Sequence, residues 1–164
     1  MATNNPPPPK SAQFNLNKFS QLISSMFEET APLSYLKHNN VQKLKELFDK
    51  GAITPNSNLH DNYKKSLFSY AVSFSRKDIA KLMLCYDADV NAVDEAGMTP
   101  LMISAALGHK DVHELLMEYK ADPCPVDQKG RYAVDFARFY QNEDLAEALE
   151  QVTLRQCSGY RANK

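Results

Sequence analysis

The chain has 164 residues, a formal net charge of -1, 43% hydrophobic and 24% charged residues, the balance of one ordinary globular domain. Its longest apolar stretch, around Leu101 to Leu107, falls far below the roughly 20 residues that span a bilayer. Lysines and arginines are scattered among acids, so the basic footprint of a duplex-binding protein is missing, and the expected partner is not nucleic acid.

Residues 1–13, with Pro6 to Pro9 among small polar residues, cannot bury enough apolar surface to fold and are expected to form a disordered Pro-rich tail. The N-terminus lacks a basic start followed by an apolar core, so a standard secretory signal is not expected. Pro6 and Pro9 also have the separation of a ligand for a proline-reading domain. From Phe14 the pattern changes. Phe19, Leu22, Ile23, Met26 and Phe27 recur at helical spacing, with Lys18, Gln21, Ser24 and Ser25 opposite. Residues 14–29 therefore read as an amphipathic helix, either a cap on the first repeated unit or a detachable docking segment; with Lys18 as the sole cation there, a membrane surface is the poorer target.

Beyond residue 30 the sequence repeats itself. Asp78, Asp111 and Asp144 lie 33 apart, as do Ile79, Val112 and Leu145, then Leu82, Leu115 and Ala148, then Met83, Leu116 and Leu149. Within each set the apolar positions fall at i, i+3 and i+4, one helical face, with an Asp in the first turn where the helix dipole favours negative charge. A fixed period of this length describes a stack of units that bury their faces against one another. Ahead of the helix at Asp111 run Asp94, Gly97, Met98, Thr99, Pro100, Leu101, Ser104, Ala105, Gly108 and His109; behind it come Leu115, Leu116, Ala121 and Asp122.

That ordered set resembles an ankyrin repeat. The preceding unit matches through Leu67, Ala71, Asp78, Leu82, Ala88, Asp89, Val90 and Asn91, but Lys65 and Ser66 replace Thr-Pro and an extra residue is expected between Ala71 and Asp78. Phe74 is expected to fill the space that insertion opens. The following unit carries Gly130, Val134, Asp135, Ala137 and the acidic run Asn142 to Glu147, similar to a terminal cap. Leu33 to Asn58 resembles a divergent first unit through Val41, Leu44, Leu47, Phe48, Gly51 and Ala52. The resemblance implies an all-α, ankyrin-type solenoid of helix-turn-helix repeats with hairpin-like loops. The repeats run over about 30–59, 60–93, 94–126 and 127–155, followed by a C-terminal tail, 156–164. Asp87 and Lys120 stand where the family usually places a left-handed Gly.

No residue pattern supports catalysis, a cofactor or a metal. His109 and His113 are four apart, yet no third ligand or general base follows, and His109 occupies a position where ankyrin repeats commonly carry a structural histidine. Cys85, Cys124 and Cys157 form no CxxC pair, and their odd number predicts reduced thiols in a cytoplasmic, or nuclear, setting; Cys124, between two prolines, reads as an inert thiol. The resemblance implies a monomeric, non-enzymatic module that binds a protein through its concave face, with no stable membrane insertion. The corresponding positions are Met98, Leu107, Lys129, Arg131, Phe139 and Tyr140, with Phe139, Tyr140 and Arg131 as anchors. Phe139 and Tyr140 could instead cover the end of the stack. An alternative is a targeting or scaffold subunit that docks a second partner through the N-terminal helix or Pro-rich tail, including a pathogen effector acting in host-cell cytosol.

Overall fold

The 33-residue period becomes a repeated pair of short helices in the computed structural model, which describes residues 31–58 and 65–160. The Pro-rich tail, the amphipathic segment 14–29 and residues 59–64 lie outside the described residues. Helices α1 (Ala31–Lys37), α3 (Leu67–Ser73), α5 (Pro100–Leu107) and α7 (Ala133–Phe139) open the units. Helices α2 (Val41–Asp49), α4 (Lys77–Cys85), α6 (Lys110–Glu118) and α8 (Glu143–Gln156) close them. Among the described residues there is no strand.

First helices pack on first helices, α1 on α3, α3 on α5 and α5 on α7; α2 packs on α4 and α4 on α6, whereas α8 meets α6 only sparsely and lies mainly against α7. The core runs continuously between the two rows. Leu36, Leu44, Phe68, Ile79, Met83, Leu101, Leu115, Leu116 and Leu149 are fully enclosed or nearly so, each contributing about 1.5 to 3 kcal/mol of transfer free energy. No unit could bury these side chains alone. Gln42, Lys43, Lys45, Glu143, Asp144 and Glu147 are exposed on the first and last second helices.

The extra residue expected in the second unit is absent. Ser66, Thr99 and Tyr132 are the residues that precede α3, α5 and α7, 33 apart, so Ser66 stands at the position of Thr99 and Leu67 at that of Pro100. Ser66 Oγ accepts from the Ser69 N–H at 3.1 Å, as Thr99 Oγ1 accepts from Met102 N–H at 3.3 Å. The hydroxyl does the capping, so Ser replaces Thr without shifting the register. Phe74 has no insertion to fill; it is half-buried and stacks on Tyr70 at 6.2 Å.

Left-handed residues punctuate the turns with the same period. Ser75, Gly108 and Gln141 (φ 52°, 71° and 60°) sit between the helices of a unit, and Asp87 and Lys120 (both φ 59°) follow the second helix. Gly108 meets a further demand, because a Cβ there would lie 2.7 Å from Asn142 Oδ1.

The cysteines depart from expectation. Cys124 and Cys157 form a disulfide across 33 residues with Cα atoms 5.2 Å apart, while Cys85 is free and exposed. Three cysteines therefore resolve into one pair and one thiol, and Cys124 is not an inert thiol. The argument from an odd count to reduced thiols fails, and with it that support for a cytoplasmic setting. The missed signal was the spacing itself, which puts both sulfurs at equivalent positions of adjacent units.

Candidate partner-binding face

Side chains at the starts of the second helices tie each unit to the one before. Arg76, His109 and Asn142 precede α4, α6 and α8, and none caps its own helix with its side chain. Each instead reaches carbonyls at the end of the preceding first helix. Arg76 Nε donates to Leu36 O at 3.2 Å, His109 Nε2 to Ser73 O at 3.1 Å, and Asn142 Nδ2 to Ala105 O at 2.8 Å. These are the carbonyls an α-helix leaves without partners.

His113, one turn beyond His109, serves a different purpose. Ser104 Oγ donates to Leu101 O at 2.9 Å and so accepts from His113 Nδ1, 3.3 Å away. Burial pushes the imidazole down to about 4, leaving it neutral in the core. The two histidines thus take separate partners, and among the described residues no cluster of His, Cys, Asp or Glu has the arrangement of a metal site.

The hairpin-like loops are built on buried aspartates. Asp94 Oδ1 accepts from the Ala96 and Met98 N–H groups, and Asp127 Oδ1 from those of Lys129 and Arg131, all at 2.8 to 2.9 Å. Asp127 Oδ2 also takes Arg131 Nε and Nη2 at 2.9 and 2.7 Å. Burial alone would raise this carboxyl, but the Arg131 side chain and the two backbone donors overcome it and hold it below the usual range. Gln128 Nε2 crosses to Glu95 O at 2.5 Å and joins adjacent hairpins.

The six residues expected to meet a partner fall into two groups. Met98, Lys129 and Arg131 belong to the hairpins at the start of the first helices; Leu107, Phe139 and Tyr140 end those helices, about 10 Å away at 1.5 Å per residue. Phe139 is 73% exposed, Tyr140 56% and Leu107 51%. The Phe139 and Tyr140 rings meet edge to face at 5.0 Å and lie on the surface, so they do not cover the end of the stack. Tyr160 takes that place, packed edge-on to Tyr132 at 5.2 Å with its hydroxyl accepting from Arg138 Nη1 at 3.1 Å. Met98 is half-buried and Lys129 exposed. Arg131 is committed to Asp127 and lies 4.3 Å over the Phe136 ring, which makes it chiefly a brace of its own hairpin.

A sequence profile described as ankyrin repeats (many copies) matches residues 68–116, from α3 into α6. Residues 68–116 are ankyrin repeats. No curated protein matches the chain. Ankyrin repeats are protein-protein interaction modules rather than a catalytic fold, and no described helix of this ankyrin stack is long and apolar enough to cross a membrane.

The strict register adds one residue that sequence reasoning passed over. Phe74, Leu107 and Tyr140 are equivalent positions in three consecutive units, as are Ser73, Ala106 and Phe139. The supposed insertion had displaced Phe74 from this row. With the register corrected, a row of large apolar side chains follows the ends of α3, α5 and α7 across the ankyrin stack.

Proposed function

We propose that the protein is an adaptor or inhibitor that occupies one protein partner through the face shared by its first helices, the concave face of an ankyrin stack. The observation that carries this reading is the exposure of Leu107, Phe139 and Tyr140 at the ends of two adjacent helices. None of the three is needed by the core, and contiguous exposed apolar side chains of this size mark interaction sites. Phe74 extends the row, with Met98, Lys129 and Arg131 as a more polar border at the hairpins. The preformed helices lose little conformational entropy on association, so more of the contact energy becomes affinity.

The charge pattern favours protein over nucleic acid. Lys110 pairs with Asp144, Arg131 with Asp127 and Arg138 with Glu150, so these cations are neutralised within the fold. The chain is read as a monomer without enzymatic activity.

The test is affinity capture from cell lysate with mass spectrometry, followed by titration of the captured partner. Phe139→Ala with Tyr140→Ala is expected to weaken binding by about 2 kcal/mol or more, the range of hot-spot losses, at nearly unchanged melting temperature. Undiminished binding would refute the reading. A large fall in melting temperature would assign the rings to the core instead.

A further inference from the structure

The Cys124–Cys157 disulfide stands in the row of Asn91, and amide side chains link the earlier junctions between units. Asn56 donates through Nδ2 to Asp87 O at 2.9 Å and accepts through Oδ1 from Asp89 N–H at 2.8 Å. Asn91 Oδ1 accepts from Asp122 N–H at 2.9 Å. Cys124 follows Asn91 by 33 residues and is bonded to Cys157, 33 residues further on. At the last junction, then, a hydrogen-bonded link has become a covalent one.

Along the row of second helices that junction has the least support, although α5 and α7 pack closely there. Helix α8 packs on α7 but only sparsely on α6, unlike α4 on α2 or α6 on α4. Lys110 and Asp144 form an ion pair between α6 and α8, with side chains 59% and 74% exposed, and such exposed pairs contribute little. Immediately after Cys157 the chain turns, Tyr160 N–H donating to Cys157 O at 3.1 Å, and lays Tyr160 against Tyr132 and Arg138. The disulfide therefore anchors the segment that closes the end of the stack.

We propose that Cys124–Cys157 is a redox-controlled clamp on the last unit. Oxidised, it holds the last turns of α8 and Tyr160 over Tyr132; reduced, it frees this closure and leaves the preceding units intact. The exchange partner is a low-molecular-weight disulfide such as glutathione disulfide. The Cys124 thiolate, less buried than Cys157, attacks one of its sulfurs and expels one thiolate. The Cys157 thiolate then attacks the Cys124 sulfur of the mixed disulfide and expels the second. Two electrons and two protons pass from the protein dithiol to two small thiols, and a reducing thiol pool reverses the step.

The experiment is hydrogen exchange of the full chain carrying Cys85→Ser, which removes the exposed thiol as a source of intermolecular bridges. It is oxidised with glutathione disulfide in one arm and reduced with a phosphine in the other. Reduction is expected to speed exchange at least tenfold in residues 150–160 and 127–132, while α3 to α6 stay unchanged. A chain that also carries Cys157→Ser is expected to show the reduced pattern in both arms. Equal exchange in the two redox states would overturn the clamp, as would the absence of a Cys124–Cys157 cross-linked peptide after oxidation. Loss of protection throughout the stack would overturn it too, by making the disulfide a global staple.

Discussion

The third and fourth units carry the same pattern and are held in different ways. The third, α5 with α6, has a neighbour on each side. It is tied backward by His109 to Ser73 O and forward by Asn142 to Ala105 O. Its second helix has nine residues. The fourth, α7 with α8, is the last unit among the described residues. It extends its second helix to 14 residues, bonds Cys124 to Cys157 and folds Tyr160 back over Tyr132. The third unit thus depends on close fit to its neighbours, and the fourth on a longer helix and a cross-link. Substitutions should separate the two modes.

The largest expected effect is at the turn inside the third unit. Gly108 has φ 71°, and a Cβ would lie 2.7 Å from Asn142 Oδ1. Gly108→Ala incurs the left-handed penalty and displaces Asn142 from its two carbonyls, Ala105 O and Ala106 O. Chemical denaturation should show a loss of about 3 kcal/mol. Gly130→Ala, at φ 74° with nothing within 4 Å, is the control for the backbone term alone and should cost about 1 to 2 kcal/mol. Equal losses at the two sites would show that close fit to Asn142 contributes nothing.

The third unit also contains a buried polar pair that its neighbours lack. Ser104 and His113 stand where the second unit has Ala71 and Ala80 and the fourth has Ala137 and Ala146. Because burial lowers His113 to about 4, the unfolded chain takes up a proton near pH 6.5 that the folded chain refuses. Stability is therefore complete above pH 6.5 and falls as pH drops towards 4, by about 2 kcal/mol at pH 5. Asp127, whose carboxyl is held down, also loses its contribution on acidification, but below the ordinary carboxylate range and so in a lower window. Replacing both Ser104 and His113 by Ala should flatten the stability profile between pH 6.5 and 5. A slope that survives the double substitution would place the titrating group elsewhere.

In the fourth unit the corresponding flaw is smaller. Thr153 Oγ1 is buried in α8 without a hydrogen-bond partner. Thr153→Val keeps the shape and removes the stranded hydroxyl, so it should raise stability by about 1 kcal/mol. No change in the denaturation midpoint would mean that the hydroxyl is satisfied in solution.

Much of this was legible in the sequence because the period is a physical signal. The identical spacing of Asp78, Asp111 and Asp144 and of their apolar partners located the second helices of three units. The left-handed positions of Asp87 and Lys120 followed from the resemblance to ankyrin repeats. The misreadings arose where a motif was taken as letters rather than as chemistry. Ser66 supplies the same hydroxyl to a helix start as Thr99, an equivalence that the letters Thr-Pro do not show, and the one-residue slip that follows hides Phe74. The pairing of Cys124 with Cys157 lies in their 33-residue separation, not in the number of cysteines. Arg131 read as a free anchor because its tie to Asp127 closes across a turn, where no helical spacing reveals it.

The smallest effect separates two positions that share a backbone conformation. Asp87 and Lys120 both have φ 59° and follow the second helices of adjacent units. In that conformation the Cβ crowds the backbone, a strain that glycine lacks and that a short polar side chain tolerates better than a long aliphatic one. Against this gain, glycine makes the unfolded chain more flexible, which offsets part of the benefit. Lys120→Gly should therefore stabilise the fold by roughly 0.5 to 1 kcal/mol. Asp87→Gly should gain less, and it exposes the unit to a further loss if the turn moves, because Asp87 O accepts from Asn56 Nδ2. An unchanged or lower melting temperature for Lys120→Gly would mean that the lysine is already relaxed in the turn, and the strain assigned to it from φ alone would be withdrawn.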